Sequence, residues 1–181
     1  MVELSSEEHR LFCELLDKEA IRELNMRNSR AIDRLDEAAL RDCYWPDAYD
    51  NASFFEGDAD SYVKWVLPHL REKRTLSHHA VCHMLIEVEG DHAYGESYFI
   101  SHSYGPGADG ATGGSIVCGR YLDHYEKRDG QWRFKHRRRI YDWNMEAPYA
   151  SPWEASPLRE KMDRGIHGPD DPVFHMKRDL R

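Results

Sequence analysis

Three histidines stand close together in the segment TLSHHAVCH, residues 75–83. A neutral imidazole accepts a proton near neutral pH and also ligates metal ions. His78, His79 and His83 therefore leave three interpretations open: a metal site, a general base, or ordinary histidines that pack in the core or meet solvent.

A metal site would need more than this segment supplies. Alternation along a strand predicts that the side chains of His79 and His83 lie on the same face. Zinc or iron needs at least one further ligand. His102, Asp33 and Asp50 are the candidates, but no recognisable spacing connects them. We expect no metal and no cofactor.

A general base needs a carboxylate that orients its ring and stabilises the imidazolium. Asp33 is the candidate, because it follows Ala31 and Ile32 on a helix whose apolar stripe should face the sheet. A carboxylate so placed is costly unless it is paired. The alternative is that Asp33 only caps the turn before Leu35.

The basic run HRRR, residues 136–139, is predicted to lie on a strand. Alternation would place His136 and Arg138 on one face and Arg137 and Arg139 on the other. A solvated face accounts for some of them. One arginine that points into a concave sheet would instead bind an oxyanion or a leaving group.

The elements that must position these residues change character along the chain. Apolar residues near a 3.6 period predict helices at the N-terminus, with Ser5 or Ser6 and Glu8 at the first cap and Asp17 capping a second helix to about Arg34. Short helices over about 37–44 and 58–73 should follow, with a kink or early end at Pro68. Strands are expected at about 78–89, 92–104 and 115–143, the last a hairpin turning at Asp129 and Gly130. The order predicts an α+β fold, with helices on one face of a curved sheet.

Composition excludes several classes of protein. The chain has 181 residues and a formal net charge of −8, which disfavours nucleic acid as a partner. It contains no apolar run of the roughly 20 residues that cross a membrane. The acidic N-terminus is unlike a signal peptide, and the four cysteines form no CxxC pair, so a cytoplasmic location is expected.

Two regions are expected along the chain: a single domain over 1–144 and a Pro-rich C-terminal extension over 145–181. The extension should wrap the domain or a neighbouring subunit, with one short helix near 157–164.

Three segments together carry a family resemblance: AIRELNMRNSRAIDRLDEAALRDCYWPDA, TLSHHAVCHMLIEVEGDHAYGESYF and GRYLDHYEKRDGQWRFKHR. They resemble the SnoaL-like branch of the nuclear transport factor 2-like superfamily, over about residues 18–143. The resemblance implies a cone-shaped fold, in which N-terminal helices pack on a curved, mostly antiparallel sheet around a deep pocket.

One group in that superfamily consists of cofactor-free lyases with an Asp–His pair: scytalone dehydratase, the bile-acid dehydratases, hexachlorocyclohexane dehydrochlorinase and the diarylpropane lyases. The resemblance implies that His79 abstracts a proton and that Asp33 orients it. It also places Arg137 and the pocket aromatic Tyr121 at the substrate.

The chain departs from this group at two points. Asn28 stands where relatives carry a Tyr or Lys that helps the leaving group depart. Asp50, beside Tyr49, stands where the dehydrochlorinase has a Trp. The amide of Asn28 can hydrogen-bond an oxygen but cannot donate a proton as an acid. Asp50 in place of a Trp indicates a more polar pocket, suited to a hydroxylated aromatic or polycyclic substrate such as a lignin-derived diarylpropane.

These features predict a cofactor-independent lyase that acts by dehydration or by retro-aldol loss of a small carbonyl fragment. Two alternatives stay open: a non-catalytic small-molecule binder or dioxygenase β-type subunit, and an isomerase or cyclase of the same fold. We expect a homo-oligomer, with a trimer favoured and a dimer next, and no nucleic-acid or membrane partner.

Overall fold

The computed structural model describes residues 4–52, 54–106, 112–148, 159 and 161–179. Helices come first: α1 (Ser6–Arg34), α2 (Glu37–Asp42) and, after the strands β1 (Tyr44–Asn51) and β2 (Glu56–Asp58), α3 (Ala59–Lys73). Four long strands follow: β3 (Leu76–Glu89), β4 (His92–Pro106), β5 (Thr112–Arg128) and β6 (Gln131–Pro148). A 3-10 turn (Pro172–Phe174) and α4 (Met176–Asp179) lie near the C-terminus.

The six strands form one sheet in the order β2-β1-β6-β5-β4-β3. All neighbouring pairs are antiparallel except β1 and β6, which run parallel. Helices followed by this curved sheet make the predicted α+β fold, which is confirmed. The Asp129–Gly130 hairpin is also confirmed: both residues have positive φ, 50° and 76°, as a two-residue type I′ turn requires.

The first helix differs from its prediction. Ser5 caps it and forms the expected capping box with Glu8, but α1 continues unbroken for 29 residues. Asp17 is not a cap, because its carboxylate accepts hydrogen bonds from Lys127 Nζ at 2.7 Å and from the indole of Trp132 at 2.8 Å. The carboxylate of Asp17, which the sequence suggested as an N-cap, therefore binds distant residues on the β5–β6 hairpin instead.

The third helix has nearly its expected range, but its cap is not Asp60 or Ser61, the residues that the sequence favoured. Its N-cap is Asp58, which accepts from the backbone N–H of Ser61 at 2.9 Å. Pro68 does not end the helix, which continues to Lys73.

The hydrophobic core lies between the helices and the inner face of the sheet. Its fully buried members come from α1, α2, α3, β5 and β6, and include Ile21, Leu24, Leu40, Tyr62, Val63, Tyr125 and Phe134. Because α1 packs directly against β3, the C-terminal end of α1 meets the strand that carries the TLSHH segment.

The C-terminal residues 161–179 contact the end of α1. The backbone N–H of Gly168 donates to the carbonyl oxygen of Arg34 at 2.7 Å, and Arg34 Nε lies 3.2 Å from the buried carboxylate of Asp171. Strand β6 continues to Pro148, past the boundary predicted at residue 144. The helix predicted near 157–164 lies largely outside the described residues.

Candidate active site

Asp33 and His79 meet where α1 ends against β3. Asp33 lies in the last turn of α1, before Leu35, which takes the left-handed conformation that closes the helix. His79 Nδ1 lies 2.6 Å from Asp33 Oδ1, and the backbone N–H of His79 donates to Asp33 Oδ2 at 2.8 Å. Ser77, two residues earlier on the same face of β3, donates to Asp33 Oδ1 at 3.0 Å.

The carboxylate of Asp33 is held in its ionised form. Burial would raise its pKa, but the hydrogen bonds and charge of His79, together with the hydrogen bond from Ser77, hold the pKa of Asp33 below its ordinary value. An ionised carboxylate only accepts hydrogen bonds. In the neutral ring the proton of His79 is therefore on Nδ1, and Nε2 keeps its lone pair.

The second ring nitrogen of His79, Nε2, lies at the wall of a cavity of about 660 Å³. Nε2 lies 3.1 Å from Ser101 Oγ, on the neighbouring strand β4. The wall mixes aromatic, polar and charged side chains, and includes Phe99, Ser101, Ser115, Val117, Tyr121, Arg139, Tyr141 and Asn144. A molecule bound in this cavity would bring its own proton-donating group next to Nε2.

Tyr121 lies in this wall, as the resemblance implies. Its ring stacks on Phe99 with centroids 4.4 Å apart. Gly119 makes that stacking possible, because a Cβ at this position would lie 2.9 Å from the Phe99 ring and 2.2 Å from the carbonyl oxygen of Ile140.

Arg137 and Asn28 lie beside each other in a buried network, not in the cavity wall. Arg137 is 3% exposed. Its guanidinium donates to both carboxylate oxygens of Asp123 at 2.8 Å, to Asn28 Oδ1 at 2.8 Å and to Asn25 Oδ1 at 2.7 Å. The substrate-binding role of Arg137 and Asn28 stays a prediction. Their contacts are those of a structural network around the ion pair of Arg137 and Asp123.

Tyr49 and Asp50 point to opposite faces of β1, as neighbours on a strand must. Tyr49 is 38% exposed, donates its hydroxyl to Glu56 and packs edge-on against the exposed ring of His136. It does not line the cavity with His79, so the structure does not bring it to the predicted site. Asp50 is fully buried and accepts from the hydroxyl of Tyr44 at 2.9 Å. Burial raises the pKa of the Asp50 carboxyl, against the opposing charges of Arg139 and Arg137.

The prediction that His79 and His83 share a face is wrong. The pairing of β3 with β4 shifts between Val81 and Met84, and this bulge inserts an extra residue that reverses the alternation. His83 is exposed and packs edge-on against Tyr98, while His79 faces inward. Within the part of the chain that the structure describes, no three His, Cys, Asp or Glu side chains are grouped to hold a metal ion.

Sequence reasoning did not single out two cavity residues, Arg139 and Ser101. Arg139 shares the inner face with Arg137, so alternation allowed either arginine to reach the cavity. Ser101 is the cross-strand partner of His79. This pairing can be predicted only when the register between β3 and β4 is known.

A family comparison agrees with this architecture. The sequence profile of the SnoaL-like domain matches residues 13–138, which is more than half of the chain. The chain belongs to the SnoaL-like domain family. The matched segment of this SnoaL-like chain contains both Asp33 and His79, whereas residues 161–179 lie beyond it. No curated protein is similar enough to this sequence to count as a match.

Solved structures share the fold of this SnoaL-like protein. A putative scytalone dehydratase from Novosphingobium aromaticivorans is 21% identical, with a TM-score of 0.65, covering 87% of this chain and 95% of that one. A hexachlorocyclohexane dehydrochlorinase from Novosphingobium barchaimii is 21% identical, with a TM-score of 0.62 and coverage of 74% and 92%. A protein of unknown function from Mycobacterium tuberculosis is 25% identical, with a TM-score of 0.62 and coverage of 73% and 75%.

The helices that the structure describes include none with the length and apolar character of a membrane span.

Proposed function

We propose that this protein is a cofactor-independent lyase in which His79, oriented by Asp33, acts as general base. One observation carries the proposal: His79 Nδ1 is bound to an ionised carboxylate at 2.6 Å, and Nε2 opens onto a cavity large enough for a small organic molecule. A base so oriented contributes about 10²–10⁴-fold to rate.

The proposed reaction begins when Nε2 takes a proton from a carbon or a hydroxyl of the substrate. The electron pair left behind forms the new double bond, and the bond to the leaving group breaks. In a dehydration the imidazolium returns its proton to the departing oxygen, which leaves as water. In a retro-aldol step a hydroxyl proton is removed, the oxygen forms a carbonyl as the adjacent carbon–carbon bond breaks, and the proton returns to the resulting carbanion or enolate. Asp33 stabilises the imidazolium between the two proton transfers.

The composition of the cavity supports a hydroxylated aromatic or polycyclic substrate, such as a lignin-derived diarylpropane. Phe99, Tyr121 and Tyr141 offer aromatic surface, and Ser101 and Asn144 offer hydrogen bonds. The diarylpropane lyases, the dehydrochlorinase and the dehydratase are all named as lyase-type enzymes, which is the reaction class that we propose for this protein.

Two substitutions test the base directly. His79→Gln and Asp33→Asn are each expected to lower kcat by about 10²-fold or more, because the first removes the base and the second removes the charge that stabilises the imidazolium. The double variant should be little worse than either single one, since residues that act as a unit are not additive. The assay is mass spectrometry of hydroxylated aromatic diols, read as loss of water or of formaldehyde.

His83→Gln is the matched control, because His83 belongs to the same segment but faces away from the cavity. It should retain activity within about tenfold of wild type. A fully active His79→Gln protein, or activity abolished by a metal chelator, would contradict the proposal. A product of unchanged mass would indicate an isomerase or cyclase instead.

A further inference from the structure

Arg139 is an arginine in the cavity wall that the proposed proton transfer does not use. It lies on β6, two residues after the structural Arg137 and on the same face of the sheet. Arg139 Nη1 donates to the carbonyl oxygen of Ala52 at 3.4 Å, which is a long hydrogen bond, and its guanidinium carbon lies 5.7 Å from the centroid of the Tyr121 ring.

The two neighbouring arginines differ in how their charge is balanced. Arg137 is paired with both oxygens of the Asp123 carboxylate. Arg139 has neutral near neighbours, the Ala52 carbonyl and the hydroxyl of Tyr62. Over the described part of the chain, no carboxylate lies within ion-pair distance of Arg139. Asp50 acts on it only through the longer-range field.

The described lining of the cavity carries a net positive charge. Of its described lining residues, Arg74 and Arg139 are cationic and Glu146 is anionic. Arg74 donates to the backbone carbonyl oxygen of Lys73 at 3.2 Å.

A guanidinium cannot lose its proton in a protein. A charge withdrawn from water is costly unless an opposite charge or strong acceptors pair with it. The planar fork of arginine matches a carboxylate in a bidentate arrangement. The cavity therefore has the features of an anion-binding site, because its guanidinium has no carboxylate at ion-pair distance among the described residues.

We infer that the ligand of this cavity carries an anionic oxygen group, most simply a carboxylate, which pairs with Arg139 while an aromatic part of the ligand packs on Phe99 and Tyr121. The inference rests on the proposed function only in using the same cavity. It narrows the substrate class from hydroxylated aromatic compounds to aromatic acids.

The test compares two probes of the same shape, cinnamate and its neutral amide, cinnamamide. Binding is measured by ligand-observed NMR titration at about pH 8, where cinnamate is ionised and an ordinary histidine is neutral. Wild type should bind cinnamate about 10–100-fold more tightly than cinnamamide, as one charge-assisted hydrogen-bonded pair provides.

Arg139→Met keeps the length of the side chain and removes the charge, so it should abolish the preference. Arg138→Met is the matched control, because Arg138 is exposed on the opposite face of β6, and it should keep the preference. His79→Gln should also keep it, which separates this inference from the lyase mechanism.

Two results would overturn the inference. Equal binding of both probes by wild type is the first, and it does not depend on any variant folding. A preference that survives in Arg139→Met is the second, and if that preference is lost in Arg74→Met the anion binds at Arg74.

Discussion

The buried pair of Arg137 and Asp123 gives the sharpest test of how the two inner arginines divide their roles. Arg137→Met removes four hydrogen bonds and leaves the Asp123 carboxylate buried. Among the described residues, the hydroxyl of Tyr125 is then the one side-chain group that still donates to it, at 2.9 Å. It also removes the cation–π contacts of the guanidinium with Tyr121 and Phe134, at 4.1 and 3.9 Å from the ring centroids.

Breaking a buried ion pair by removing one partner costs about 3–5 kcal/mol. For a domain of this length, each kcal/mol lowers Tm by about 2–4 °C, so Arg137→Met should lower Tm by about 6–20 °C. Urea unfolding followed by tryptophan fluorescence measures the same loss as a change in the free energy of unfolding.

Two further variants make the result specific. Arg138→Met, on the exposed face, should change the free energy of unfolding by no more than about 0.5 kcal/mol. The double variant Arg137→Met with Asp123→Leu should be less destabilised than Arg137→Met alone, because it no longer buries an unpaired charge. An Arg137→Met protein with wild-type stability but no activity would refute the reasoning, and would return Arg137 to the substrate-binding role that the family resemblance implies.

Three other predictions follow from the fold. Because the pKa of Asp33 is lower in the folded protein than its ordinary value, its contribution to stability is present above the unfolded pKa of about 3.9 and is lost as pH falls through the folded pKa. The difference in the free energy of unfolding between wild type and Asp33→Asn should therefore narrow as pH falls below about 4; a difference that widens there would contradict the assigned direction. Asp171 forms an ion pair with Arg34 and accepts hydrogen bonds from the backbone N–H groups of residues 166 and 173, so Asp171→Asn should speed limited tryptic cleavage within residues 161–179, whereas exposed Asp170→Asn should not; equal cleavage of both variants would argue against this anchor. Sedimentation velocity at micromolar concentration should show a homo-oligomer, since the outer face of the sheet exposes several large apolar side chains, with a trimer favoured by the family resemblance and a dimer next; a monomer would contradict it. These side chains are Leu85, Tyr94, Tyr98, Ile100 and Leu122.

Local sequence signals predicted the elements well wherever the decisive interactions are local. The capping box of Ser5 and Glu8 and the turn at Asp129 and Gly130 depend on residues within four positions of one another. Asp17 carried the same kind of signal and misled, because its partners Lys127 and Trp132 lie more than a hundred positions away.

Part of the candidate site could also be predicted from the sequence. The contact of Asp33 with His79 followed from the family resemblance, and alternation placed Arg137 and Arg139 on the inner face. Alternation failed at His83, because a bulge between Val81 and Met84 shifts the face of every residue beyond it. A bulge is set by pairing with the neighbouring strand, and nothing in the segment TLSHHAVCH encodes it.

The sequence by itself determined the helical segments, the long strands from β3 onward, the hairpin turn and the identity of the groups able to move a proton, because these depend on residue type and on short-range periodicity. It did not predict β1 and β2, and β1 pairs with the distant strand β6. The tertiary structure alone decided which arginine meets the cavity. Arg137 and Arg139 have the same side chain on the same face, but the Asp123 carboxylate and the two asparagines of α1 lie within reach of the first and not the second. The packing of α1 against the sheet thereby makes one guanidinium part of the core and leaves the other facing the cavity with its charge unpaired among the described residues.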